Sequence, residues 1–124
     1  MSYKKLDIWQ LARKTSLEIH QLSLHLPKFE MYEQGSQIRR SSKTVRSAIV
    51  EGYGRRYYKQ EFIRYIIYTL SSNDETIDHL ESLFETKSKT DQTTYETLHQ
   101  ELECLGKKLN NFLKALHKTH QSPR

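Results

Sequence analysis

The twelve residues EGYGRRYYKQEF, positions 51–62, bring together two glycines, three tyrosines, two arginines and a lysine. A guanidinium group pairs bidentately with phosphate oxygens, and a tyrosine ring stacks on an unpaired base. A surface that holds RNA or single-stranded DNA uses these residue types. A basic run leads into the stretch. Residues 37–64 hold eight basic side chains (Arg39, Arg40, Lys43, Arg46, Arg55, Arg56, Lys59 and Arg64) against two acidic ones, Glu51 and Glu61. Residues 1–36 carry five basic and four acidic groups, and residues 65–124 carry seven and nine, so window by window the formal excess of +5 lies in the middle. The candidate nucleic-acid contacts are Arg39, Lys43 and Arg46, which fall on one helical stripe, together with Arg55, Arg56 and Lys59. No standard nucleic-acid-binding motif is matched, and the same basic surface would also fit an oligomeric adaptor that docks an acidic protein.

Other chemistry finds little to build on. His117 and His120 stand three apart with no carboxylate between them, and His20 and His25 are five apart, so neither pair has the spacing of a zinc site. Asp74, Glu75, Asp78 and His79 cluster on one helical stretch, but a metal-binding bundle wants Glu-x-x-His on facing helices. They read as solvated or interfacial groups. Gly52-Tyr53-Gly54 lacks the third glycine and the preceding strand of a phosphate-cradling loop. The sequence offers no catalytic residue, metal site or cofactor site, and an enzyme is the least expected class.

Four amphipathic stretches must position the basic residues. Ile8, Ala12, Thr15, Ile19, Leu22 and Leu26 alternate steps of four and three, which places one apolar seam on a helix that Pro27 ends. Ser36 predicts the N-cap of a second helix with Ile38, Ser42, Val45, Ile49 and Gly52 on its seam, where small residues imply close approach. Gly54 is expected just past that helix in a left-handed conformation, and Glu51 is expected to pair with Arg55 four residues on. A third helix over residues 59–85 carries Ile63, Ile66, Leu70, Asn73, Ile77, Leu80 and Phe84. A fourth, over residues 91–118, carries Tyr95, Leu98, Leu102, Leu105, Leu109, Phe112 and Leu116. Connectors near residues 27–35, 54–58 and 86–91 make this an all-α, antiparallel, up-down-up-down four-helix bundle over residues 1–119, with a fraying tail at 120–124.

Only 35% of the 124 residues are hydrophobic and the mean hydropathy is −0.82, yet their helical recurrence argues for a folded domain rather than disorder. Cys104 is the only cysteine, so no intramolecular disulfide can form. The N-terminal residues have no apolar run resembling a signal peptide, and the longest apolar-rich uncharged stretch, residues 65–73, is far too short to span a bilayer. A cytoplasmic location with no membrane partner is expected. Val50, Tyr65 and Tyr68 lie off the main seams and would face water in a monomer, so they are the candidate homo-oligomer interface.

The block SQIRRSSKTVRSAIVEGYGRRYYKQEFIRYIIY, residues 36–68, resembles the central part of the small proteins encoded by intervening sequences of bacterial large-subunit (23S) ribosomal RNA genes. LDIWQLA at residues 6–12 and DETIDHLESL at residues 74–83 are similar to the same family, whereas the fourth helix is generic. Arg46 and Ala48 depart from its pattern, which has proline or an apolar residue and then asparagine there. The resemblance implies a four-helix bundle, a ring-like homopentamer and no known catalytic activity. It also extends to accessory proteins of diversity-generating retroelements, which are basic pentamers that bind nucleic acid and a reverse transcriptase. Nucleic acid and a reverse transcriptase or other protein are therefore the implied partners.

Overall fold

The three-four spacing of apolar residues folds as expected into long helices. The computed structural model describes residues 2–86 and 91–119, and the expected fraying tail at 120–124 lies outside them. A 3-10 turn at Tyr3–Lys5 precedes α1 (Asp7–Leu24), α2 (Lys28–Tyr32), α3 (Gln34–Gly54), α4 (Lys59–Glu85) and α5 (Gln92–Lys118). No strand occurs among the described residues.

Contacts between helices fix their directions. On α3 and α4, Gln34 reaches His79 and Ser41 reaches Thr76, while the Gly52 backbone abuts Tyr65, so numbers rise along one helix as they fall along the other. Asn73 bonds the Leu102 carbonyl and Phe84 stacks on Tyr95, which runs α5 against α4 in the same way. The pairs Lys14–Glu101 and Lys108–Asp7 set α1 antiparallel to α5. The bundle is up-down-up-down. It has two ends: a joint end, where the α3–α4 turn meets the start of α1 and the end of α5, and a distal end, where α2, the end of α4 and the start of α5 lie; residues 87–90, between α4 and α5, lie outside the described residues.

The core is divided rather than continuous. At the joint end Ile8, Trp9, Ala12, Val45, Ile49, Phe62, Ile66, Leu105 and Leu109 pack together, and at the distal end Ile19, Leu26, Ile38, Leu80, Leu83, Leu98 and Leu102 do. Between them runs a buried polar waist of Thr15, Ser16, Ser41, Ser42, Thr69, Ser72, Asn73 and Thr76. Most of its hydroxyls bond within their own helices: Thr15 donates to the Ala12 carbonyl, Ser42 to that of Arg39 and Thr69 to that of Tyr65. Thr76 donates to Ser41 at 2.8 Å across the α3–α4 interface. Small side chains let those two helices approach closely. A Cβ on Gly52 would sit 2.9 Å from the Tyr65 Cβ, the close approach expected of that position.

Three local expectations are corrected. The connector at 27–35 is not irregular, because Lys28–Tyr32 forms α2 within it. Helix α3 starts at Gln34, and Ser36 is not its cap; the Ser36 hydroxyl bonds the Glu33 carbonyl from inside the first turn. Gly35 lies inside the helix, where a Cβ would press on the Glu30 carbonyl at 2.9 Å. Gly54 is the last residue of α3 and not a left-handed residue beyond it. Arg55, with φ −105°, closes the helix by donating its backbone N–H to Gly52. The fourth helix begins as expected, where the Asp91 side chain caps the Thr94 N–H at 3.0 Å.

Candidate nucleic-acid interface

The turn between α3 and α4 holds four residues, 55–58, and presents the chemistry that the sequence pointed to. Arg56 donates to the Tyr53 carbonyl at 3.1 Å and lies over the rings of Tyr53 and Tyr57, at 4.2 and 4.9 Å from their centroids. Cation–π contact of this kind holds the guanidinium flat on the turn while leaving its edge to make further bonds. Tyr57 and Tyr58 point outward, Tyr58 with 70% of its surface exposed. Tyr53 packs inward, edge-on to Phe62. Lys59 reaches across to the end of α5, where it bonds the carbonyls of Thr119 and His117, placing a cation against the negative pole of that helix.

Arg55 is less available. As expected it pairs with Glu51, at 2.5 Å, and it also lies 3.8 Å from Glu61 and over the Tyr65 ring. The hydrogen bond to Glu51 holds its pKa above the ordinary arginine value. Glu61 in turn bonds Arg64 at 3.0 Å, which lowers the carboxyl and raises the guanidinium. The two carboxylates of the stretch therefore neutralise part of its charge.

The helical stripe comes apart on folding. Arg39 turns inward, donating to the Ser23 hydroxyl at 2.9 Å and the Met31 carbonyl at 3.0 Å, and so ties α1, α2 and α3 together at the distal end. Lys43 is exposed near the waist. Arg46 joins the joint half, with its guanidinium over the Trp9 ring at 5.2 Å, and Ala48 is buried. Of the expected interface residues, Val50 is half-buried against the joint core. Tyr65 is half-buried beneath Arg55 and Arg64, and only Tyr68 stands out, with Ile67 beside it in sequence also exposed.

Folding also recruits cations that a reading by sequence window hides. Helix α5 brings Lys107, Lys108, Lys114 and Lys118 to the joint half, and the start of the chain brings Lys4, Lys5 and Arg13. Divided at the waist, the described joint half (residues 2–14, 45–70 and 105–119) holds thirteen basic and three acidic side chains. The described distal half (residues 15–44, 71–86 and 91–104) holds four basic and twelve acidic. The bundle is thus charged oppositely at its two ends. The near-neutral sum over residues 65–124 concealed this, because all nine acidic residues of that window precede Cys104, and beyond it the window holds basic residues alone. The distal acids are partly used: His99 bonds Glu81 at 2.8 Å and lies 3.4 Å from Glu103, and His79 lies 3.3 Å from Glu75.

The model of one family, the 23S rRNA-intervening sequence protein, matches residues 4–111 of this sequence. The chain belongs to that family. Among solved structures it is similar to a protein of unknown function from the S23 ribosomal protein family of Bacteroides thetaiotaomicron. The TM-score is 0.74 at 22% identity, over 86% of this chain and 98% of the other. At that identity the likeness shows a shared fold and nothing finer. No curated protein matches. No enzyme family is indicated, and among the described residues no helix is long and apolar enough to cross a membrane.

Proposed function

We propose that this family member is a non-enzymatic accessory protein that binds RNA or single-stranded DNA, weakly and with little sequence preference, through the joint end of the bundle. The observation that carries the reading is the excess of thirteen basic over three acidic side chains in that half, gathered from both chain ends and the α3–α4 turn. Phosphate contacts supply most of the affinity in sequence-independent binding, and the exposed rings of Tyr57 and Tyr58 offer stacking surfaces that any base can use. Arg46, Arg56 and Lys59 stay in the contact set, Lys114 and Lys118 join it, Arg55 contributes less because of Glu51, and Arg39 leaves it. A homo-oligomer, a pentamer on the family resemblance, would repeat this surface, with Tyr68 and Ile67 of α4 as the exposed apolar contacts between subunits. Repetition turns a weak site into an avid one.

Anisotropy of a labelled single-stranded oligonucleotide, titrated across salt, tests the reading. The logarithm of affinity should fall with the logarithm of salt at a slope of about −3 or steeper, since each phosphate contact contributes roughly 0.7 for single strands. Reversing Arg56, Lys114 and Lys118 together to Glu should abolish retention at low salt while helix content is unchanged. If binding survives that triple reversal, or none is measured at about 50 mM salt, where phosphate contacts are strong, the proposal is wrong. A shallow salt response together with capture of one specific acidic protein would favour the adaptor reading instead.

A further inference from the structure

The distal end carries an apolar corner that no part of the described chain covers. Phe29 and Tyr32 share a face of α2 at i, i+3 spacing and are 67% and 65% exposed, and Leu24, at the end of α1, is half-exposed. Lys28 and Glu30 flank Phe29 and Glu33 follows Tyr32, and the described distal half carries the acidic surplus. At the opposite end, Tyr57 and Tyr58 are exposed among Arg56, Lys59 and Lys118.

We propose that the distal corner receives the joint end of a second copy of this chain, stacking molecules head to tail. Charge complementarity selects this occupant. A 27-residue helix such as α4 is about 40 Å long at 1.5 Å per residue, and charge is screened over about 10 Å, so the two ends cannot neutralise each other within one molecule. A second copy can do so, and it brings Tyr57 and Tyr58 against Phe29 and Tyr32. The two surfaces differ and lie at opposite ends, so the contact is heterologous, does not close, and adds molecules in a row. It is also small. Four packed helices, each roughly 10 Å across, give an end face of about 400 Å², well under the roughly 800 Å² per partner of a stable complex. The association is therefore weak, reversible and dependent on salt. It covers the basic end, so an assembled molecule is closed to nucleic acid; that consequence rests on the function proposed above, whereas the association itself does not.

Light scattering and sedimentation of the full chain test the stacking. In low salt the mean mass should rise with concentration by about twofold or more, and in salt of roughly 0.3 M it should fall to a concentration-independent value set by any lateral, apolar contact. Phe29→Lys removes the distal surface and Tyr58→Glu the joint surface. Both positions are exposed, so helix content should not change. Each variant alone should stay at the high-salt mass in low salt. Their mixture should regain association, limited to a single junction, because one variant keeps an intact joint end and the other an intact distal end. A mass that ignores salt and concentration overturns the inference, and so does a mixture that behaves as the two variants do separately.

Discussion

At the joint end, the core is built on aromatic rings: Tyr3 meets Trp9 edge-on at 5.3 Å, Phe62 meets Phe112 at 5.5 Å, and arginines lie over Trp9, Tyr53 and Tyr65. At the distal end the fully buried side chains are Ile19, Ile38, Leu80, Leu83 and Leu102, and the outer layer holds carboxylates bonded to histidines. Both halves bury comparable apolar clusters on the same four helices and differ in surface chemistry. The comparison teaches that core packing is shared along the axis of this molecule while surface charge is divided along it. Four helices running through the waist make one structure of two cores, and the charge division gives that structure two different ends.

The largest test of that picture is whether the halves unfold as one. Ile38→Ala in the distal core and Ile49→Ala in the joint core each remove a fully buried branched side chain and should cost about 2–5 kcal/mol. Trp9 is the only tryptophan and sits in the joint core, so its fluorescence reports that half while helix circular dichroism reports both. In urea, Ile38→Ala should lower the tryptophan midpoint as much as the helix midpoint. If the tryptophan transition keeps its wild-type midpoint, the polar waist divides the bundle into separately folding halves.

A sharper contrast lies within three residues at the end of α3. Gly52→Ala places a Cβ 2.9 Å from that of Tyr65 and 3.4 Å from the Phe62 ring, and should destabilise by about 1–3 kcal/mol as α3 and α4 are pushed apart. Gly54→Ala meets no atom within 4 Å and lies on ordinary helical backbone, so it should stabilise by a few tenths to about 1 kcal/mol. Thermal melts of the two variants decide the matter, and equal shifts would mean that the helices do not approach as described.

Much of this was legible in the sequence. The seams Ile8 to Leu26 and Tyr95 to Leu116 were readable because a three-four step has one meaning on a helix, and Gly52 was readable because it fell on a seam. The fate of Arg39 was not, since its partners Ser23 and Met31 lie on other elements and a wheel drawn for one helix cannot include them. Gly54 misled because a glycine near a helix end usually marks a left-handed cap, yet here the backbone stays helical through it. The basic surface was half-found. Antiparallel folding lays Lys107 to Lys118 beside the α3–α4 turn, and only a charge count made after pairing the helices brings them together.

The smallest effect tests the electrostatic cost of the acidic end. Glu18 on α1 faces Glu101 on α5, which is paired with Lys14. Burial first, then the neighbouring Glu101 carboxyl, raise the Glu18 carboxyl above its ordinary value, with Lys14 opposing. A carboxyl raised in the folded state adds stability where it is protonated, below its unfolded pKa, and that stability is lost as pH rises through the folded value. At pH 7 the group is therefore ionised in an environment that disfavours its charge, and Glu18→Gln should raise the melting temperature. The group is largely exposed and solvent screens it, so the gain stays within about 1 kcal/mol. Near pH 3, where the wild-type carboxyl is itself neutral, the advantage should vanish. Melts of both proteins across that range read the difference directly. A variant less stable than wild type at pH 7 would mean that Glu18 is held by a favourable contact and that the carboxylates on this α1–α5 face do not strain the bundle.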